Sequence, residues 1–138
     1  MTDATAIVEQ FYIALGQGDV PGALNLMADD ISWTTMWHYK VNGRGPLKVV
    51  EGVFAPLTVE WSTFKLIPTE FIGDGGTIVS LGRFVATHAT SGRKVDAGYA
   101  HVWTVVNGKI QSFRQYIDTL AIASAVSVND EIPVVALE

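Results

Sequence analysis

The sequence has no cysteine, which excludes disulfides, zinc–thiolate sites, iron–sulfur clusters and thiol nucleophiles together. Charge is scarce as well: Asp, Glu, Lys and Arg make up 17% of the 138 residues, against about 25% in an average soluble domain. The 9 Lys and Arg are outnumbered by 14 Asp and Glu, and no basic cluster offsets the net charge of −5. That is the wrong sign for a phosphate-backbone binder, so no nucleic-acid partner is expected. No apolar run extends beyond a few residues, so no membrane partner is expected either. Met1-Thr2-Asp3-Ala4 lacks the basic and apolar regions of a secretory leader, and the expectation is a soluble cytoplasmic protein. What the chain does have is apolar surface, with 49% hydrophobic residues. A chain of this length buries roughly 70% of its unfolded surface. The low charge then implies that further apolar surface is hidden in a pocket or a subunit interface.

Periodicity gives helices first and strands later. Ile7, Val8, Phe11, Tyr12 and Leu15 form one helical face over Ala4 to Leu15, stopped by Gly16-Gln17-Gly18-Asp19. Val20, Ala23, Leu24 and Met27 continue the pattern, and Pro21 suits a first turn. Ile31 to Trp37 alternates as a strand with Trp33, Thr35 and Trp37 on one face. Leu47 to Phe54 reads as a short third helix with Pro56 just beyond it. Four strands follow, over Phe64 to Phe71, Thr77 to Thr90, Arg93 to Val106 and Lys109 to Asp118. Helices followed by an antiparallel meander define the α+β class. The reading is one domain over residues 1–126 and a C-terminal tail, without clear period, over 127–138.

Turn chemistry sets an expected register. Asn107-Gly108 is a two-residue hairpin signal, since both residues must take positive φ. Pairing Val106 with Lys109 sets His101 against Arg114 and Tyr99 against Tyr116. Treating Ser91-Gly92 as a second two-residue turn pairs Phe84 with Tyr99. One sheet face then gathers Phe84, His88, Tyr99, His101, Trp103, Arg114, Tyr116 and Asp118. The other carries Val85, Ala100, Val102, Thr104, Val106, Phe113 and Ile117. A slip of one residue would exchange the roles of the two faces.

The first face, with Trp33, Thr35 and Trp37, has the composition of a small-molecule pocket: aromatic walls and a few converging polar groups. Each member also has a plainer reading. A histidine on an apolar strand is often a satisfied structural residue, which applies to His88 and His101. Asp118 at a strand end serves as well for capping or for pairing with Arg114. His88 and His101 lack a third ligand at convincing spacing, so neither metal nor organic cofactor is expected. The second face is too apolar to leave wet, and a homodimer through it is expected.

Val8-Glu9-Gln10-Phe11-Tyr12-Ile13-Ala14-Leu15, Gly18-Asp19 and Leu26-Met27-Ala28-Asp29-Asp30-Ile31 resemble the opening of NTF2-like proteins. His101-Val102-Trp103-Thr104-Val105, Gly108-Lys109-Ile110 and Phe113-Arg114-Gln115-Tyr116-Ile117-Asp118-Thr119 resemble the closing strands of the SnoaL-like branch. That branch includes polyketide cyclases, with ketosteroid isomerase and limonene-epoxide hydrolase as relatives. The resemblance implies a cone: a curved antiparallel sheet wrapped round the N-terminal helices, enclosing a deep hydrophobic pocket and dimerising through its outer surface. It sets Asp118 at the cyclases' acid/base aspartate and at one position of the epoxide hydrolases' Asp-Arg-Asp triad. The other two triad positions fall at Gly82 and Phe84. The steroid isomerase's oxyanion tyrosine, general base and protonated aspartate fall at Phe11, Thr35 and His101. Neither set is intact.

The expected function is therefore acid–base chemistry of isomerase or cyclase type on an apolar, oxygenated small molecule. Asp118 is the expected proton-transfer group. His101, with Tyr116 and Arg114, is expected to stabilise charge on the substrate oxygen. Trp33, Thr35, Trp37, Phe84, His88, Tyr99 and Trp103 are the expected remaining substrate contacts. Two alternatives remain: epoxide hydrolysis by a water that Asp118 activates, and a non-catalytic ligand- or protein-binding module of the same fold.

Overall fold

The structure is a computed structural model, and it describes residues 3–127. The tail expected over 127–138 thus lies, apart from Ser127, outside the described residues. α1 spans Ala4–Gly16, with the Asp3 carboxylate accepting from the Thr5 amide at its start. α2 spans Val20–Asn25, where Asp19 accepts from the Gly22 amide at 2.9 Å and Pro21 sits in the first turn. β1 (Met27–Thr34) comes next, and its inward alternation continues past the strand through Thr35, Trp37 and Tyr39.

The third helical region is longer than its sequence pattern suggests. α3 (Pro46–Val49) runs into a π-helical segment, Val50–Phe54, and then into α4 (Ala55–Glu60). Pro56, expected to lie beyond the helix, is inside it. Proline has no N–H to give the previous turn and its ring would strike that turn's carbonyl. At the start of α4, directly after the wider π turn, it breaks no α-helical bond.

β2 (Trp61–Asp74), β3 (Thr77–His88), β4 (Lys94–Val106) and β5 (Lys109–Ile117) form the meander, followed by α5 (Thr119–Val126). The sheet is curved and unclosed, in the order β1-β5-β4-β3-β2. Its meander pairs are antiparallel; the edge strand β1 joins β5 in parallel. α1, α2 and the α3–π–α4 run precede the meander, as the order of elements implies, and α5, which the sequence pattern did not suggest, follows it and packs on β4.

Two registers differ from the expected ones. The β3–β4 connection is longer than Ser91-Gly92: His88 N–H bonds Arg93 O at 2.9 Å, and Gly92 takes φ +73. Pairing shifts by two residues, so Phe84 lies opposite Ala97 instead of Tyr99, and each residue keeps its face. In the β4–β5 hairpin Asn107 and Gly108 take φ +52 and +77, and Val106 pairs with Lys109 as expected. A bulge then intervenes, because Val105 pairs with Ile110 but Thr104 with Ser112, leaving Gln111 as the extra residue. Beyond it every β5 side chain changes face. His101 lies opposite Gln115 and Trp103 opposite Phe113. Phe113, Gln115 and Ile117 therefore turn inward, whereas Arg114, Tyr116 and Asp118 turn outward and are exposed.

Candidate functional site

Inside the sheet's curve, under α1 and the π segment, lies a cavity of about 280 Å³. Its walls are side chains from every layer: Phe11, Tyr12 and Leu15 of α1, and Trp33, Thr35 and Trp37 of β1 and its extension. Val53, Phe54, Leu57 and Thr58 come from the helical run, and Phe64, Leu66 and Phe84 from β2 and β3. Trp103, Phe113, His101 and Gln115 complete it from β4 and β5. The aromatic packing is close: Trp33 stacks on Phe113 with centroids 3.9 Å apart, and Phe11 meets Trp103 edge-on at 5.1 Å. Rings locked against one another in this way keep the cavity from collapsing.

One pole of the cavity is polar. Trp103 Nε1–H donates to Ser80 Oγ at 2.9 Å, and Ser80 Oγ lies 2.6 Å from the Tyr12 hydroxyl. That hydroxyl is 2.5 Å from His101 Nδ1, and His101 Nε2 is 2.7 Å from Gln115 Oε1. The five residues, from α1, β3, β4 and β5, form one continuous chain of hydrogen bonds. Gln115 Oε1 can only accept, so His101 carries its proton on Nε2 and takes the Tyr12 hydrogen on Nδ1. Burial pushes the His101 imidazole down to about 3, outweighing the Gln115 bond that favours its charged form. Burial likewise raises the Tyr12 phenol far above its ordinary value. Both groups are neutral near pH 7, and no other titratable side chain among the described residues lines the cavity. Tyr99 stacks on the back of His101, with centroids 3.7 Å apart and planes 9° apart.

The sequence-predicted site residues divide accordingly. Trp33, Thr35, Trp37, Phe84, His101 and Trp103 line one cavity, and Tyr99 braces it from behind. Arg114, Tyr116 and Asp118 are on the opposite surface because of the Gln111 bulge. Asp118 is the N-cap of α5, accepting from the Ala121 amide at 3.1 Å. Arg114 and Asp118 form no ion pair among the described residues. Tyr12, Ser80 and Gln115 are the members that sequence reasoning missed. The signal for Tyr12 was its place on the buried face of α1; for Gln115 it was concealed by the bulge.

His88 belongs to a second cluster. Its Nε2 is 3.0 Å from Glu60 Oε2, while Glu60 Oε1 accepts from Tyr39 and lies 2.6 Å from His38 Nε2. Ser91 N–H donates to His88 Nδ1 at 3.1 Å, which leaves Nε2 as its protonated nitrogen. Burial alone would raise the Glu60 pKa, but the bonds from Tyr39, His38 and His88 outweigh it and hold the carboxyl below its ordinary value. The two imidazoles take different oxygens of one carboxylate, and no group of described residues is arranged to hold a metal ion. No described helix is long and apolar enough to cross a membrane.

A curved five-stranded sheet holding helices and an aromatic cavity in its concave face defines the NTF2-like class. The SnoaL-like domain family matches residues 8–113, and the chain belongs to that family. An NTF2-like protein from Burkholderia thailandensis is 31% identical, with a TM-score of 0.86 over 92% of this chain and 99% of its own. TerC, crystallised with polyporic acid, is 23% identical, with a TM-score of 0.80 over 89% of this chain and 97% of its own. A protein from Jannaschia assigned to the SnoaL-like polyketide cyclases is 16% identical, with a TM-score of 0.80 over 91% and 92%. At these lower identities the likeness is one of fold. No curated protein matches the sequence significantly.

Proposed function

We propose that the cavity receives an uncharged, largely apolar small molecule bearing an oxygen, and that the His101 pole polarises that oxygen in isomerase- or cyclase-type chemistry. The observation that carries this reading is the hydrogen-bond chain from Trp103 to Gln115 at one end of an otherwise apolar cavity. A ligand oxygen there would meet a buried neutral pole, where polar interactions are stronger than in water. The family's polyketide cyclases, and TerC with its polyporic acid, supply the precedent for a small-molecule ligand in this fold.

A second reading, a ligand-binding module without turnover, is favoured by one observation. Among the described residues no carboxylate lines the cavity, and both His101 nitrogens are engaged, so none of them offers a ligand a free side-chain base. One experiment separates the two. The protein is mixed with 2-tetralone in deuterated buffer, and exchange of the hydrogens beside its carbonyl is followed by NMR. Exchange faster than in buffer, and lost in His101→Phe, supports catalysis. Binding without acceleration supports the module. No binding at all contradicts the cavity reading.

The proposal includes a homodimer through the outer sheet face. Val85 and Val106 there are 36% and 45% exposed, and Ile67, Ile72 and Tyr116 add to the same apolar surface. Phe113, expected on that face, is part of the core instead.

A further inference from the structure

The polar chain behind the cavity has a direction, and that direction fixes what its last member offers a ligand. An indole N–H can only donate, so Trp103 forces Ser80 Oγ to accept at 2.9 Å. Ser80 is fully buried, and its one other partner is the Tyr12 hydroxyl. The Ser80 hydrogen therefore goes to Tyr12, the Tyr12 hydrogen to His101 Nδ1, and the His101 Nε2 hydrogen to Gln115 Oε1. In the observed orientation, with Oε1 toward His101, the Gln115 amide nitrogen is left outside the chain.

Among the described residues that nitrogen has no hydrogen-bond partner. Gln115 is 3% exposed and lines the cavity. The other polar hydrogens of the lining are already committed. Thr35 donates to Tyr39 O at 2.7 Å and Thr58 to Ala55 O at 2.8 Å, while Tyr12, His101 and Trp103 are bound within the chain. The indole nitrogens of Trp33 and Trp37 have no partner either, but both are sealed from any accessible surface, and that of Gln115 is not.

We infer that the Gln115 side-chain amide is the specificity anchor of the cavity, donating to a neutral carbonyl or ether oxygen on a flat apolar ligand. The inference rests on the cavity reading proposed above and adds the identity of the donor and the kind of oxygen it takes. An anionic ligand would lose its hydration without meeting a cation, since the lining has none among the described residues.

The test compares three probes of one skeleton: 2-tetralone, tetralin and tetralin-2-carboxylate. Affinities are measured by quenching of tryptophan fluorescence for the unmodified protein and for Gln115→Leu. The preference for 2-tetralone over tetralin should fall roughly 3- to 10-fold in the variant, the worth of one net hydrogen bond. The carboxylate should bind at least about tenfold more weakly than the ketone. In the unmodified protein, the Gln115 side-chain N–H₂ signals in a ¹⁵N-correlated NMR spectrum should move with 2-tetralone and stay in place with tetralin. This second measurement decides the matter if Gln115→Leu does not fold. If both neutral probes bind but these signals respond alike, the anchor is refuted while the cavity reading stands. If neither probe binds, the cavity reading falls and takes the anchor with it.

Discussion

Replacing His101 by Phe should change how stability depends on pH more distinctively than it changes stability itself. An unfolded histidine takes its proton near 6.5, whereas burial holds His101 at about 3 in the fold. Between these values the unfolded chain binds a proton that the folded one refuses. His101 therefore costs no stability above about pH 6.5 and erodes it steadily below, by about 1.4 kcal/mol per pH unit. By about pH 4.5 the accumulated loss is about 3 kcal/mol, a large part of a typical 5–15 kcal/mol total. Phe keeps the ring between Tyr99 and Tyr12 but cannot titrate. It also strips Tyr12 and Gln115 of their partner, which costs about 1–3 kcal/mol near pH 7. Urea denaturation followed by tryptophan fluorescence, repeated from about pH 7.5 to 4.5, reads both effects. The variant should start less stable and close the gap on acidification, because acid effects shared by both proteins cancel in the difference. Parallel curves across that range would refute the neutral, desolvated histidine and with it the buried polar pole.

Other substitutions probe the remaining parts. Asp118→Asn should leave 2-tetralone affinity unchanged and lower stability by no more than about 1 kcal/mol, since Asn is also a good helix N-cap; a large fall in affinity would return Asp118 to the site. Glu60→Gln should lower the melting temperature at neutral pH and flatten its acid limb. The depressed Glu60 pKa contributes stability above the unfolded carboxyl value of 4.5 that is lost as pH falls through the folded one; an unchanged acid limb would contradict this. Val102→Lys on the outer face should shift sedimentation of a dimer towards monomer, and a monomer at micromolar concentration before substitution would refute the interface.

α1 and α2 were legible because their signals are local, whereas α5 was not read at all. Pro21 marks a start, and Ile7, Val8, Phe11 and Tyr12 repeat at helical spacing and are all buried. Inward alternation of Trp33, Thr35 and Trp37 was equally local. The aromatic half of the cavity could thus be read before any pairing was known. The β5 residues could not. Gln111 carries no glycine, proline or other mark of a bulge, and its side chain bonds Asp30 of β1, a partner that sequence does not bring near. One unpaired residue exchanged Arg114, Tyr116 and Asp118 for Phe113, Gln115 and Ile117. The Ser91-Gly92 error was harmless by comparison, because a shift of two preserves the faces. The parallel partner of β1 was hidden for the same reason as Gln111: strand order is a long-range property, and alternation reports only which side is buried.

A crystal structure of the protein soaked with 2-tetralone tests the central claim most directly. The account predicts the ketone in the cavity against Phe84 and the stacked Trp33–Phe113 pair, with its oxygen within hydrogen-bonding distance of the Gln115 amide nitrogen. Ketone bound only outside this cavity, or lying within it with its oxygen turned away from Gln115 and His101, would contradict it.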